Sequence, residues 1–239
     1  TDWVVQSHLR LVRNEFYWND RATRISEIWM YPLANPDSEF KRYRAGEIDY
    51  TYAVPMRQLP WLRENFRADL RLAPYLGTYY FNFNVTKPPF RDNPQLRRAL
   101  SLAIDREVLT RRVTGAGEIP AYGWIPPAAH YRGYRPPWAD WTQAERNAEA
   151  RKLYAGAGYS SAHPLEIEIL YNTDQNHQRI AAAMASMWKE TLGVQTVLLN
   201  QEWKVFLQTR HAKATTQVVR GAWIGDYNDA YSFLQVLKG

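Results

Sequence analysis

Residues 215–228 read Thr-Thr-Gln-Val-Val-Arg-Gly-Ala-Trp-Ile-Gly-Asp-Tyr-Asn. The β-branched run of Thr215, Thr216, Val218 and Val219 predicts a buried strand, and the residues after it a turn. Upstream, Thr142-Gln-Ala-Glu145 is a capping box that opens a helix closed by Gly158. Leu165–Ile169 alternates as a strand, Ile180–Leu192 is a helix stopped by Gly193, Val194–Leu199 a strand, and Trp203–His211 a helix. From residue 142 onward helices and strands alternate, which is α/β architecture with mainly parallel pairing. Ligands of open α/β sheets gather beyond the carboxyl ends of strands. Arg220, Trp223, Asp226, Tyr227 and Asn228 crowd at such an end. A cation, a flat aromatic, an anion and hydrogen-bonding groups suit a ligand carrying both charges, such as a peptide or amino acid. The same stretch also reads as a core tryptophan followed by a helix-capping aspartate, and its residues alone leave both readings open.

Working outward, residues 1–76 alternate short strands and helices. Val4–Arg13 is expected to be extended, Ile25–Tyr31 a strand, and Asp37 the N-cap of a short helix carrying Phe40 and Tyr43 and stopped at Gly46. Glu47–Tyr52 and Leu70–Leu76 read as strands around a short helix at Met56–Asn65. Gly77–Asn84 is a further strand. Its alternation puts Tyr79, Phe81 and Phe83 on one face and Thr78, Tyr80, Asn82 and Asn84 on the other. A polar aromatic face suits either a ligand cleft or an ordinary half-exposed strand. Pro94 opens a long helix with Leu96, Leu100, Ala103, Ile104 and Val108 as its buried stripe. Residues 118–141 form a long loop rich in proline and aromatics, a length uncommon in a compact domain without a task.

Composition narrows the function. The 239 residues and 46% hydrophobic content support a real core, and no apolar run approaches a membrane span, so a soluble chain is expected. Absence of cysteine excludes disulfides, thiolate metal sites and a cysteine nucleophile. Of the net charge of +6, an excess of five sits in residues 77–162, with 12 basic and 7 acidic side chains spread over helices and loops. Nucleic-acid binders concentrate charge in a stripe or arm, so no nucleic-acid partner is expected despite 10 Trp and 16 Tyr. His8, His130, His163, His177 and His211 show no metal-like pairing. There is no phosphate loop and no nucleophile elbow, and Glu166 and Glu168 share a solvated strand face. An enzyme is not expected, nor a cofactor; a carbohydrate-active enzyme is the alternative that the aromatic content suggests. The opening Thr1-Asp2-Trp3-Val4-Val5 already looks like a strand, which suggests a fragment or a processed chain.

Several ordered stretches carry a family resemblance: Arg42-Tyr-Arg-Ala-Gly-Glu-Ile-Asp49, Tyr79-Tyr-Phe-Asn-Phe-Asn84 with Lys87-Pro-Pro-Phe90, and Arg97-Arg-Ala-Leu-Ser-Leu-Ala-Ile-Asp-Arg106. Ile119-Pro-Ala-Tyr-Gly123, Ala155-Gly-Ala-Gly-Tyr159 and Ala222-Trp-Ile-Gly-Asp-Tyr-Asn228 continue it. Together they resemble the family 5 (cluster C) peptide-binding solute-binding proteins of ABC importers. The resemblance implies a periplasmic-binding-protein-like II fold, α/β with mixed sheets and flanking helices, in an incomplete two-lobed architecture. Residues 1–76 would be the second half of the first lobe, and residues 77–239 most of the second, ligand-binding lobe.

By the same resemblance the protein would be periplasmic, take short peptides (tri- to pentapeptides, with a cell-wall peptide as a narrower alternative) and meet an inner-membrane ABC permease. A fragment with exposed apolar surface would be prone to self-association. Asp226 resembles the aspartate that pairs with the peptide ammonium, and Trp223 the wall of a side-chain pocket. Arg220, Arg210 and His177 match positions that meet the peptide carboxylate. His211 and Asn82 match pocket-lining positions, and Tyr80 shares the polar strand face with Asn82. Two departures stand out. Gly77 and Ile224 occupy positions where close relatives pair cysteines, and Thr114 replaces a lysine that meets short peptides' carboxylates.

Overall fold

The computed structural model describes residues 1–73, 75–127, 131–213 and 217–238. It divides into two compact units, Thr1–Pro55 and Met56–Gly239. This partition differs from the lobe boundary expected between residues 76 and 77. The predicted strand start at Thr215 and Thr216, Pro74 and His130 lie outside the described residues.

The first unit holds β1 (Asp2–Val4), β2 (His8–Val12) and β3 (Glu27–Met30) as an antiparallel three-stranded sheet, followed by α1 (Pro36–Arg44). The expected single extended segment from Val4 is instead a hairpin. Gln6 adopts φ +61° and Ser7 N–H bonds Val4 O at 3.0 Å, so the chain reverses there. Apolar spacing carries no trace of such a turn. The cap of α1 is Asn35, not Asp37: its side chain accepts from Asp37 N at 2.8 Å and Ser38 N at 3.2 Å. Pro36 supplies the preset first-turn φ and so moves the cap upstream. Phe40 is buried, but no residue of the three strands is. Phe16 and Trp18 are 96% and 86% exposed. Ion pairs Arg10–Glu27 and Arg13–Asp20 tie the sheet and its following loop. The strand expected at Glu47–Tyr52 is absent, because this segment has no ladder partner among the described residues.

The second unit opens with α2 (Leu59–Asn65), whose Leu59 and Leu62 are buried. No strand forms at the described residues of 70–76. A four-stranded sheet follows: β4 (Gly77–Phe83), β5 (Glu166–Asn172), β6 (Gln195–Gln201) and β7 (Val218–Ile224), in the order β4-β7-β5-β6. β5 pairs in parallel with β6 and β7, and β4 runs antiparallel to β7, so the sheet is mixed. The two non-cysteine positions, Gly77 and Ile224, stand directly opposite each other in the β4–β7 ladder.

Three helices build the larger core: α3 (Pro94–Leu102), α5 (Gln143–Gly156) and α6 (Gln175–Leu192). Leu96, Leu100, Tyr154, Trp188, Ile167, Ile169 and Val218 close it. Their polar atoms are satisfied: Trp188 Nε1 donates to Leu100 O at 2.8 Å, and Tyr154 Oη accepts from Leu165 N at 2.8 Å. A smaller cluster of Leu170, Val219 and Phe206 sits under α7 (Trp203–Ala212). The capping box of α5 is present in full, with Thr142 and Glu145 bonding reciprocally.

The expected long helix from Pro94 is broken after Leu102. Asp105 accepts from Val108 N at 3.0 Å and starts a new turn, α4 (Arg106–Val108), which widens into a π-helical turn over Leu109–Thr114. The half-buried Arg106 guanidinium bonds carbonyls at the break: Nη1 donates to Ser101 O at 3.0 Å and Ile104 O at 3.2 Å. Gly115, at φ +70°, ends the turn where a left-handed residue is required.

Candidate functional site

Side chains of register partners emerge on the same face of a sheet. In the β4–β7 ladder Phe81 faces Arg220 and Tyr80 faces Gly221. Arg220 therefore shares a face with Tyr79, Phe81 and Phe83, the face packed on the larger core. Tyr80, Asn82 and Trp223 occupy the opposite face. The eight residues singled out from the sequence thus fall into separate groups rather than one.

The first group gathers where β5 runs into α6. Asp174 caps α6, its carboxylate accepting from Asn176 N at 2.8 Å and His177 N at 3.0 Å. This presents His177 in the first turn, with Nδ1 3.3 Å from Tyr79 Oη and 3.5 Å from an Asp174 oxygen. The Arg220 guanidinium lies over the Tyr79 ring at 4.9 Å, and its Nη1 donates to Asn172 Oδ1 at 3.3 Å. Arg220 Nε is buried without a hydrogen-bond partner. No ion pair joins Arg220 to a carboxylate among the described residues. Burial pushes the Tyr79 phenol up to about 12, partly opposed by Arg220. Burial and the Arg220 charge push His177 down to about 4, against the opposing pull of Asp174. At neutral pH the group therefore holds one cation, a neutral imidazole and a neutral phenol above the capping carboxylate.

The second group is built on α8 (Tyr231–Leu234). Trp223 Nε1 donates to Ser232 O at 2.7 Å, and Trp124 Nε1 donates to Phe233 O at 2.9 Å. Thr78 Oγ1 donates to Trp124 O at 2.9 Å, and the Trp124 ring meets Tyr80 edge-on at 4.6 Å. The long loop is thereby pinned to β4. Asp226 follows β7; its N–H donates to the buried Ser232 hydroxyl at 2.8 Å, and its exposed carboxylate accepts from Gln235 Nε2 at 3.4 Å. Asp226 likewise has no ion pair with a described Lys or Arg.

Arg210 and His211 stand exposed in the last turn of α7, and Asn82 is exposed on the edge strand β4. Among the described residues no hydrogen bond or ion pair ties these three side chains to either group, so their place is set by their elements. Sequence reasoning missed Tyr79, Asp174, Trp124 and Ser232. The Asp-x-x-His spacing at 174–177 signals a helix cap that offers a histidine. Nothing in the sequence pairs Trp124 with β4, from which it is 46 residues distant through the bond to Thr78. Among the described residues no group of three His, Asp or Glu could hold a metal ion, and no helix is long and apolar enough to cross a membrane.

Fold and side chains together define an α/β unit with a mixed sheet, in which Arg220 of β7 and Asp226 beyond it form no ion pair with a described residue. The chain belongs to the bacterial extracellular solute-binding proteins, family 5, whose middle region matches residues 1–239. It is 42% identical over 238 residues to the periplasmic oligopeptide-binding protein OppA of Escherichia coli K12, covering 99% of this chain and 44% of that one. It is 40% identical over 237 residues to the E. coli periplasmic murein peptide-binding protein MppA, covering 98% and 43% respectively. The solved E. coli MppA structure superposes with TM-score 0.94 at 39% identity, over 99% of this chain and 46% of that one. Haemophilus influenzae OppA in complex with the peptide RPPGFSPFR superposes with TM-score 0.90 at 36% identity, covering 99% and 47%. The chain thus spans a little under half the length of these relatives. Proteins of this family are binding proteins, not enzymes, which removes the carbohydrate-active alternative.

Proposed function

We propose that this chain is the ligand-contacting part of a periplasmic peptide-binding protein that passes short peptides to an ABC importer of the inner membrane. The observation that carries the reading is a pair of opposite charges without ion-pair partners: Arg220 over Tyr79, and Asp226 beyond the same strand. A cation within β7 beside the carboxyl end of β5, and an anion beyond β7, neither in an ion pair with a described residue, are complementary to the carboxylate and ammonium of a peptide. Charge-assisted hydrogen bonds of this kind are among the stronger polar contacts.

In this reading Asp226 takes the ammonium and Trp223 walls a side-chain pocket. Arg220, His177 and Arg210 are alternative readers of the carboxylate, while His211, Asn82 and Tyr80 line wet pockets. The lobes meet at Leu76–Thr78, with 1–76 belonging to the first and 77–239 to the second. Tri- to pentapeptides are the expected ligands, although a relative was solved with a nine-residue peptide. A narrower murein-peptide ligand is favoured as second reading by the similarity to MppA. Calorimetry on the complete gene product, with tri- and tetrapeptides, murein tripeptide and oligosaccharides, tests this. Heat with mixed peptides supports the main reading, heat with murein peptide alone the second, and heat with sugar alone overturns both.

A further inference from the structure

Tyr79 departs from the pattern of its own strand face. Phe81 and Phe83 on that face serve only the core. Tyr79 carries a hydroxyl into the group formed by Arg220, His177 and Asp174 instead. Its ring lies under the Arg220 guanidinium at 4.9 Å, meets Phe81 edge-on at 5.8 Å and meets the His177 ring at 5.6 Å. Its hydroxyl stands 3.3 Å from His177 Nδ1. No ion pair with a carboxylate among the described residues orients Arg220; a weak side-chain bond to Asn172 at 3.3 Å, the Tyr79 hydroxyl and the Tyr79 ring face do so. A carboxylate in that place would orient the guanidinium equally well but would neutralise it. An aromatic face holds a cation while leaving its charge available.

We propose that Tyr79 is a positioning residue for ligand recognition: its ring fixes the Arg220 guanidinium, and its hydroxyl fixes the His177 ring, so that an unneutralised cation is held ready for a carboxylate. This rests on the reading of Arg220 as a carboxylate reader. Phe83 and Phe81 fill the core beside it, so the ring cannot be exchanged for a flexible side chain without freeing the guanidinium. The high resistance of the phenol to ionisation agrees, since a phenolate would neutralise Arg220.

The test uses the complete gene product with Tyr79→Phe, Tyr79→Leu and Arg220→Gln, titrated with tri- and tetraalanine as free acids and as carboxyl amides. Tyr79→Leu is expected to weaken the free acids about tenfold and the amides less than about twofold. Tyr79→Phe, which keeps the ring, is expected to restore most of the free-acid affinity. Equal loss for acids and amides marks a merely structural residue and overturns the proposal. If Arg220→Gln leaves the preference for acids unchanged, the carboxylate-reader reading of Arg220 fails, and the proposal with it. If Arg220→Gln abolishes the preference and Tyr79→Leu does not, Tyr79 alone is ruled out. Should the leucine variant not fold, the Arg220 Nε–H resonance of the unliganded wild type decides: slow exchange and a ring-current shift support the proposal, a freely rotating guanidinium overturns it.

Discussion

Gly221 lies opposite Tyr80 in the β4–β7 ladder, and a Cβ added at 221 would stand 2.4 Å from Tyr80 Cε2. The glycine is thus the floor on which the Tyr80 ring lies while its edge meets Trp124. Gly221→Ala must swing Tyr80 off that floor and away from Trp124. The expected cost is about 1–3 kcal/mol, the range for overpacking a tight site. Urea unfolding measures it, and an unchanged midpoint would show that the ring moves freely.

Asp226 is exposed, and its backbone is held by Ser232, so its carboxylate is placed without being consumed by a protein cation. Asp226→Asn in the complete gene product is expected to weaken peptide binding by about 1.5–3 kcal/mol, the range for a hydrogen bond to a charged group. Its effect on stability should be small. Calorimetry with a peptide and its N-acetylated form checks this: the variant should lose affinity for the first only, and equal affinity for wild type and variant would take Asp226 out of the site.

His177 gives stability a defined pH dependence. Its value is held down at about 4 in the fold, against about 6.5 for an ordinary imidazole in the unfolded chain. Between these values the unfolded chain binds more protons. The contribution is therefore complete above about pH 6.5, falls as pH drops through the window, and levels off below about pH 4. Asp174, Arg220 and Tyr79 are the charged and titratable groups that face it. His177→Gln should flatten this part of the decline. Urea midpoints compared across the window should fall more steeply towards acid in the wild type than in the variant; parallel curves would contradict the assignment.

Arg106 closes the break between α3 and α4. Besides the carbonyls of Ser101 and Ile104, its Nε donates to Ala121 O at 2.8 Å, so one guanidinium joins a helix end to the long loop. Burial pushes it down to about 10, still charged at neutral pH. Lysine cannot reproduce the planar fork. Arg106→Lys is expected to destabilise the protein by on the order of 2–4 kcal/mol, from several charge-assisted bonds lost together. Hydrogen exchange should rise first at Ala121 to Trp124; protection unchanged there would separate the loop from Arg106.

Legibility in the sequence followed the range of the forces involved. The alternation of β4, the α5 capping box and the helix stops at Gly158 and Gly193 act within a few residues and were readable there. The break after Leu102 was not, because the apolar stripe of a helix runs on unchanged through Ala103 and Ile104 while a distant loop carbonyl recruits Arg106. The strand expected at Glu47–Tyr52 failed for a related reason: alternation makes a segment able to be a strand, but only a partner's backbone makes it one.

The site divides along the same line. The sequence by itself determined which chemical groups are present near the end of β7, and its ordered motifs pointed to the family. Only the tertiary structure decided that Arg220 and Trp223 leave opposite faces, that Tyr79 rather than a carboxylate supports Arg220, and that α8 anchors Trp223 and the chain at Asp226. The physical reason is that strand register sets which face a side chain takes, and register is fixed by hydrogen bonds between β4 and β7, which lie far apart in the chain.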